Sequence, residues 1–400
     1  MAQSPPAFRI QRVWGAWLIF VVFLVAGLWM FKPDGQGPNP LIVRSSNHVS
    51  IVNMASGDLI QRFSHDDYVW GADLVFGDTQ LLSWSRDGTA RLWDLTTGIE
   101  LNRFVHADEV LTAQLVFDDT RLLTLSGDDT VRIWDSVEGL ELIQYEHEAQ
   151  VQGAELIMDE TRLLSWSRDS TLRLWNTETG EETRRFEHGD WVQGASLVFG
   201  ATQLLSWSRD GTARLWDLTT GAEVRRFTHD DALWGAELVM DETRLLSWSR
   251  DNTARLWDVE TGAEIRRFEH PGWARGALLS ADNANLLTWG GENVALLWDA
   301  HSGEVLERYD HFGLILGASF TPDGDGVLTW GGARAQLWDK TSGVIEGDFS
   351  HYPYLLWTAD LSPDGHALTT TGEGRARIWD VGTGSVITEY HGADWSEGGR

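Results

Sequence analysis

The eighteen residues LLSWSRDGTARLWDLTTG occur at 81–98 and again, unchanged, at 204–221. The two copies start 123 residues apart, three times 41, and a 41-residue beat runs through most of the chain. Tryptophans stand at 93, 134, 175, 216, 257, 298, 338 and 379, every spacing being 41 except one of 40. Histidines keep the same beat at 65, 106, 147, 188, 229, 270, 311, 351 and 391. A period of this length restricts the fold to a solenoid, a propeller or another array, because each unit can bury its apolar face only against its neighbours.

Within a unit the pattern is that of strands. In LLSWSRDGTARLWDLTTGAEVRRF (204–227) the apolar and β-branched runs are five or six residues long, broken by RDG and TTG, both turn signals. LWGAELVM at 233–240, after the histidine, supplies a further strand. Four short antiparallel strands in about 40 residues, repeated in a row, predict a β-propeller. Arg-Arg at 184–185, 225–226 and 266–267 suits an outer edge strand guarded against edge-to-edge pairing. Trp84, Trp166, Trp207, Trp248, Trp289 and Trp330 recur in a more apolar strand and are expected in the core between blades.

The expected organisation is an N-terminal tail (1–12), an anchor helix (13–31), a linker (32–40), a partial repeat (41–64), the propeller (65–390) and a C-terminal tail (391–400). Residues 66–390 hold eight complete units, so eight blades are expected, with 41–64 capping or partly completing the ring. Nine blades are the alternative, and would need a first strand from HGADWSEGGR (391–400).

VWGAWLIFVVFLVAGLWMF, Val13 to Phe31, is nineteen residues without a charge. As a helix it would span ~28 Å, near the ~30 Å hydrocarbon core. Trp14, Trp17 and Trp29 near its ends suit an aromatic belt, and Trp29, Met30 and Phe31 spoil a signal-peptide cleavage site. Arg9 and Arg12 before it and Lys32 and Arg44 after it form a weak orienting bias. All 60 acidic residues follow it, which favours the large domain on the extracytoplasmic (periplasmic) side over the cytoplasmic one. With no cysteine, disulfides, thiolate catalysis and Cys-ligated metals are excluded. A formal net charge of −29 argues against nucleic acid as a partner.

LWD at 92–94, 215–217, 256–258 and 337–339, and IWD at 133–135 and 378–380, resemble the ends of WD40 repeats; LWN at 174–176 departs by one residue. The histidine 27 or 28 residues before each tryptophan is similar to the family's Gly-His element, without the glycine. The resemblance covers about residues 41–390 and is to a membrane-anchored bacterial type. It implies a buried Trp–Ser/Thr–His–Asp hydrogen-bond chain in each blade: Trp93, Ser83, His65 and Asp87 in one, Trp216, Ser206, His188 and Asp210 in another. The aspartate column reads Asp87, Asp128, Asp169, Asp210 and Asp251, then Glu292, Gly332 and Glu373, so the last three blades are expected to rely more on packing.

Since the repeated letters are scaffold, function is expected where the copies differ. Three residues after the histidine come Tyr68, Trp191, Trp273 and Tyr354 among others; five after it come Trp70, Trp234 and Arg275, with Trp357 in that place in the last unit. Arg86, Arg168, Arg209 and Arg250 precede the turn aspartate. By resemblance these columns face the rim where partners dock, and tryptophan, tyrosine and arginine are interface hot-spot residues. No catalytic residue, cofactor or metal site is expected. TPDGDG (321–326) reads as a hairpin turn rather than a calcium loop. The expected function is a non-enzymatic, membrane-tethered scaffold for protein or peptide partners. A quinoprotein-like propeller enzyme and an envelope-assembly factor are the alternatives.

Overall fold

The computed structural model describes residues 40–44, 47–53, 59–372 and 375–391. The apolar segment 13–31 and the tail beyond 391 lie outside the described residues, as does Glu373. No helix among the described residues is long and apolar enough to cross a membrane.

Each 41-residue unit forms one sheet of four antiparallel strands in chain order, giving eight blades at 69–105, 110–146, 151–187, 192–228, 233–269, 274–310, 315–350 and 356–391. In blade 4 the strands are Val192–Val198, Gln203–Ser208, Thr212–Asp217 and Glu223–Thr228, innermost to outermost. The second and third strands are buried on both faces because sheets stack on either side of them, whereas the outer strand alternates exposed and half-buried around one buried aromatic. The arrangement is that of a β-propeller.

The eight-blade expectation needs a correction. Pro40–Arg44, His48–Asn53 and Leu59–Ser64 form a ninth, three-stranded sheet, equivalent to the second, third and outer strands of a unit. Its first strand touches both the innermost strand of blade 1 and the third strand of blade 8, so it stands in the ring between them. A unit lacking the third-strand tryptophan still makes a blade because Val49, Ile51 and Phe63 bury against Leu81 and Trp93 of blade 1.

Inside six blades a large and a small residue share one site. The second-strand tryptophans at 84, 166, 207, 248, 289 and 330 pair in register with Gly71, Gly153, Gly194, Gly235, Gly276 and Gly317 of the innermost strand. A Cβ on any of these glycines would stand 2.0–2.2 Å from the indole. Blades 2 and 8 lack the tryptophan and lack the glycine, pairing Thr112 with Leu125 and Thr358 with Thr371. The four tryptophans of blades 1, 3, 4 and 5 are buried, as expected; Trp289 and Trp330 are half-buried and pack on the core edge.

Blades are joined by an aromatic ladder. At eight seams the buried aromatic of an outer strand meets the third-strand tryptophan of the next blade: Phe63–Trp93, Phe104–Trp134, Tyr145–Trp175, Phe186–Trp216, Phe227–Trp257, Phe268–Trp298, Tyr309–Trp338 and Phe349–Trp379, at 5.4–5.7 Å between centroids. Such pairs add ~0.5–1.5 kcal/mol each beyond area burial. The edge arginines also bridge blades, Arg184 donating to the Thr219 and Thr220 carbonyls at 2.7 Å and Arg266 to that of His301 at 2.6 Å. The 321–326 segment is a hairpin turn, as expected, closed by Gly324 N–H on the Thr321 carbonyl.

Gly235→Ala should lower stability by about 1–3 kcal/mol in urea unfolding, the cost of forcing a methyl group into a filled core. Adding Trp248→Leu to Gly235→Thr, which copies the Thr112/Leu125 pair, should recover part of that loss. No recovery would show that the glycine serves something other than the indole.

Candidate functional site

The hydrogen-bond chains implied by the resemblance are formed. In blade 4 Trp216 Nε1 donates to Ser206 Oγ at 2.8 Å, and Ser206 lies 2.7 Å from His188 Nε2. His188 Nδ1 lies 3.2 Å from Asp210 Oδ2. A carboxylate only accepts, so Nδ1 carries the proton and Nε2 accepts from the serine hydroxyl. Blade 1 repeats the arrangement with Trp93, Ser83, His65 and Asp87 at 2.8–2.9 Å. The aspartate also pins the loop above it: Asp210 Oδ2 accepts from Gly189 N–H at 2.8 Å, and Asp87 Oδ2 from Asp66 N–H at 3.0 Å.

One member of the network escaped the sequence reading. Arg214 Nη2 donates to Asp210 Oδ2 at 2.7 Å while its guanidinium lies 5.8 Å from the centroid of the Trp216 ring. Arg91, Arg132, Arg173 and Arg255 do the same in blades 1, 2, 3 and 5. The signal was in the 41-residue spacing of these arginines, two positions before the tryptophan, which looks like ordinary strand alternation until burial is known.

Blades 6 and 7 are built differently. Without the aspartate, His270 Nδ1 lies 3.0 Å from the Gly272 carbonyl and His311 Nδ1 3.2 Å from that of Gly313. Their Nε2 atoms have no hydrogen-bond partner among the described residues. Trp298 and Trp338 keep their bonds, to Thr288 and Thr329 at 2.9 Å.

The rim is the face carrying the loops after the histidines and the turns between second and third strands. There the structure brings together Arg168, Trp191 and Arg209: the two guanidiniums lie 4.4 and 4.0 Å from the centroid of one indole. Arg250 lies 4.7 Å from that of Trp273, which is 47% exposed. Tyr68 meets Trp70 edge-on at 5.1 Å, and Trp70 Nε1 donates to Glu109 at 3.1 Å. Arg86 is exposed, 4.0 Å from Asp67. Tyr354 accepts a hydrogen bond from Arg375 at 2.9 Å. Arg275 and Trp357 are half-buried.

Trp234 requires a correction. It is 6% exposed and packs with Trp248, Ala274 and Ala277 in the core between blades 5 and 6. The position five after the histidine is a β-bulge, for Leu233 pairs with Ser249 and Gly235 with Trp248, leaving residue 234 between them. A bulge re-aims its side chain, and no periodicity reveals toward which side.

The description "WD domain, G-beta repeat" matches residues 57–94, from the end of the partial sheet through the third strand of blade 1. Residues 57–94 thus match a WD40 repeat. No curated protein matches it in sequence. Among solved structures, the crystal structure of the computationally designed Ika8 protein, in a P63 packing, is similar with a TM-score of 0.53. That likeness covers 78% of this chain and 93% of the other at 19% identity, and it is one of fold alone.

WD40 repeats are in general protein-interaction scaffolds and typically lack enzymatic activity. Here the WD40 network sets a pH dependence of stability. Burial by itself would raise the Asp210 carboxyl, but hydrogen bonds from His188, Gly189 and Thr212 outweigh it and hold it far below the usual carboxylate range. Asp87, Asp128, Asp169 and Asp251 are held down in the same way. Burial pushes His188, His229, His270 and His311 below their ordinary value. Both groups bind more protons unfolded than folded, so both contribute stability that disappears on acidification. The histidine contribution is lost from about pH 6.5 downward and the aspartate contribution below about pH 4. Thermal unfolding followed from pH 7 to pH 2 should show the melting temperature falling from about pH 6.5 downward, with a lower limb below about pH 4. Asp210→Asn should cost about 1–3 kcal/mol at pH 7 and flatten the lower limb of that profile. A melting temperature independent of pH would contradict the network's ionisation.

Proposed function

We propose that the protein is a non-enzymatic, membrane-tethered scaffold that holds protein or peptide partners on the rim of its propeller. The observation that carries this reading is the group Arg168–Trp191–Arg209. Two like-charged guanidiniums flank one indole, and neither has a carboxylate within ion-pair distance among the described residues. Elsewhere in this chain of formal charge −29, Arg91, Arg103, Arg173, Arg185, Arg214 and Arg255 are paired with carboxylates. Burial, and then the charge of Arg209, lower the Arg168 pKa, as expected for cations held together without a counter-ion. An arriving carboxylate would relieve that repulsion and form charge-assisted hydrogen bonds. Tryptophan and arginine are also the residues whose truncation most weakens interfaces.

Tethering rests on the nineteen uncharged residues 13–31, and the extracytoplasmic placement on the acidic residues that all follow them. A role in envelope assembly and one in sensing would use the same surface and differ in the partner held there.

Affinity capture from native membranes, with the full chain and its Arg209→Ala/Trp273→Ala variant side by side, tests the reading. Partners should be retained by the wild type and reduced by roughly tenfold or more with the variant. The variant's melting temperature should change little, because both side chains reach solvent. Equal recovery from both proteins would move the site off the rim.

A further inference from the structure

The rim is not uniform. Above blades 1–5 the two residues after each histidine are Asp66-Asp67, Ala107-Asp108, Glu148-Ala149, Gly189-Asp190 and Asp230-Asp231. Above blades 6–8 they are Pro271-Gly272, Phe312-Gly313 and Tyr352-Pro353, followed by Trp273, Leu314 and Tyr354-Leu355. Four of these side chains are strongly exposed: Phe312 at 68%, Tyr352 at 77%, Leu355 at 53% and Trp273 at 47%. Leu314 at 45% continues the arc between them. Large apolar side chains exposed together on three successive blades mark an interaction site.

A second difference falls on the same three blades. In blades 1–5 the turn aspartate accepts from the N–H of the residue after the histidine and so pins the loop. Pro271 has no N–H to offer, and Phe312 N–H and Tyr352 N–H reach only Gln336 and Ser350, at 3.4 Å. The apolar residues therefore sit on the loops released from the buried network. At one end the arc meets the cationic part of the rim, where Arg250 lies over Trp273 with no carboxylate in ion-pair range among the described residues.

We infer that this arc is the docking surface for a segment of a partner protein that carries large apolar side chains next to carboxylates. The apolar side chains cover Trp273, Phe312, Leu314 and Tyr352, and the carboxylates meet Arg250 and Arg209. This deepens the rim-binding reading and rests on it. Chain direction favours a protein over the bilayer as occupant. The second strand of every blade runs toward the rim, and Pro40–Arg44 holds that place in its sheet, with the Arg44 guanidinium donating to the Trp70 carbonyl at the rim. Pro40 therefore enters from the opposite face. Residues 32–39, which join it to the proposed anchor, reach at most about 28 Å. The face opposite the arc is thus the one held at the membrane, and the arc is turned away from it.

The test uses the full chain in lipid nanodiscs and a random-peptide display library as the probe. Selection should enrich peptides with large apolar residues beside Asp or Glu. Phe312→Ser and Tyr352→Ser, made separately and checked by circular dichroism, should each weaken the selected peptides roughly tenfold or more, and Arg250→Glu should act most on the acidic ones. No enrichment over empty nanodiscs, or enrichment of basic peptides, would overturn the proposal. Peptides lost with Arg168→Ala or Trp191→Ala but indifferent to the arc variants would sink the arc while leaving the rim reading standing; indifference to every rim variant would sink both. Protein-free vesicles of phosphatidylcholine and phosphatidylglycerol form a last arm, and competition by them would make the arc a lipid-binding surface instead.

Discussion

The third-strand tryptophan is the residue on which the rest of the propeller depends. Its Nε1–H is bound inside its own blade, to Ser206 in the case of Trp216, while its ring packs on the outer-strand aromatic of the blade before, Phe186. One side chain thus fixes both the position of the second strand within a blade and the contact between blades. An indole is suited to this, having a large apolar body and a single donor that must be satisfied when buried. The histidine loop then closes over the same serine, so the end of one unit is locked to the core of the next.

That economy explains why blades 6 and 7 can lose half of the network and keep their shape. Trp298 and Trp338 retain their hydrogen bonds and their ring contacts with Phe268 and Tyr309. What is lost is the aspartate that secures the loop at the rim, together with the arginine behind it, replaced by Leu296 and Gln336. The loss is confined to the face on which partners are proposed to dock. Exposed Phe312 and Tyr352 stand where other blades carry acidic or small residues. Scaffold and surface are interleaved within one 41-residue unit: Arg209, on the rim, stands directly before Asp210, a member of the buried chain.

Much of this was legible in the letters. The spacing of Trp93, Trp134 and Trp175 and the turn signals RDG and TTG follow from local geometry and burial that recur from unit to unit. The buried chain from Trp216 to Asp210 was implied by the repeat's resemblance and stands in the structure as implied. Less was legible at the rim. Trp234 and Trp273 occupy neighbouring columns of equal promise, yet one is buried and the other exposed, because a bulge turns residue 234 into the seam between blades.

The sequence by itself determined the repeat and the strand order within a blade, and its resemblance implied the buried polar chain, whose contacts fall at fixed separations of about 10 to 24 residues. Only the tertiary structure decided the ring. Whether 41–64 merely caps eight blades or stands among nine depends on how the strand Pro40–Arg44 meets blades 1 and 8, a contact spanning more than 300 residues that no repeat period encodes. Only the ring, likewise, sets Arg168 of one blade and Arg209 of the next against the same indole. Curvature brings those side chains together, and curvature is a property of stacked blades rather than of any one of them.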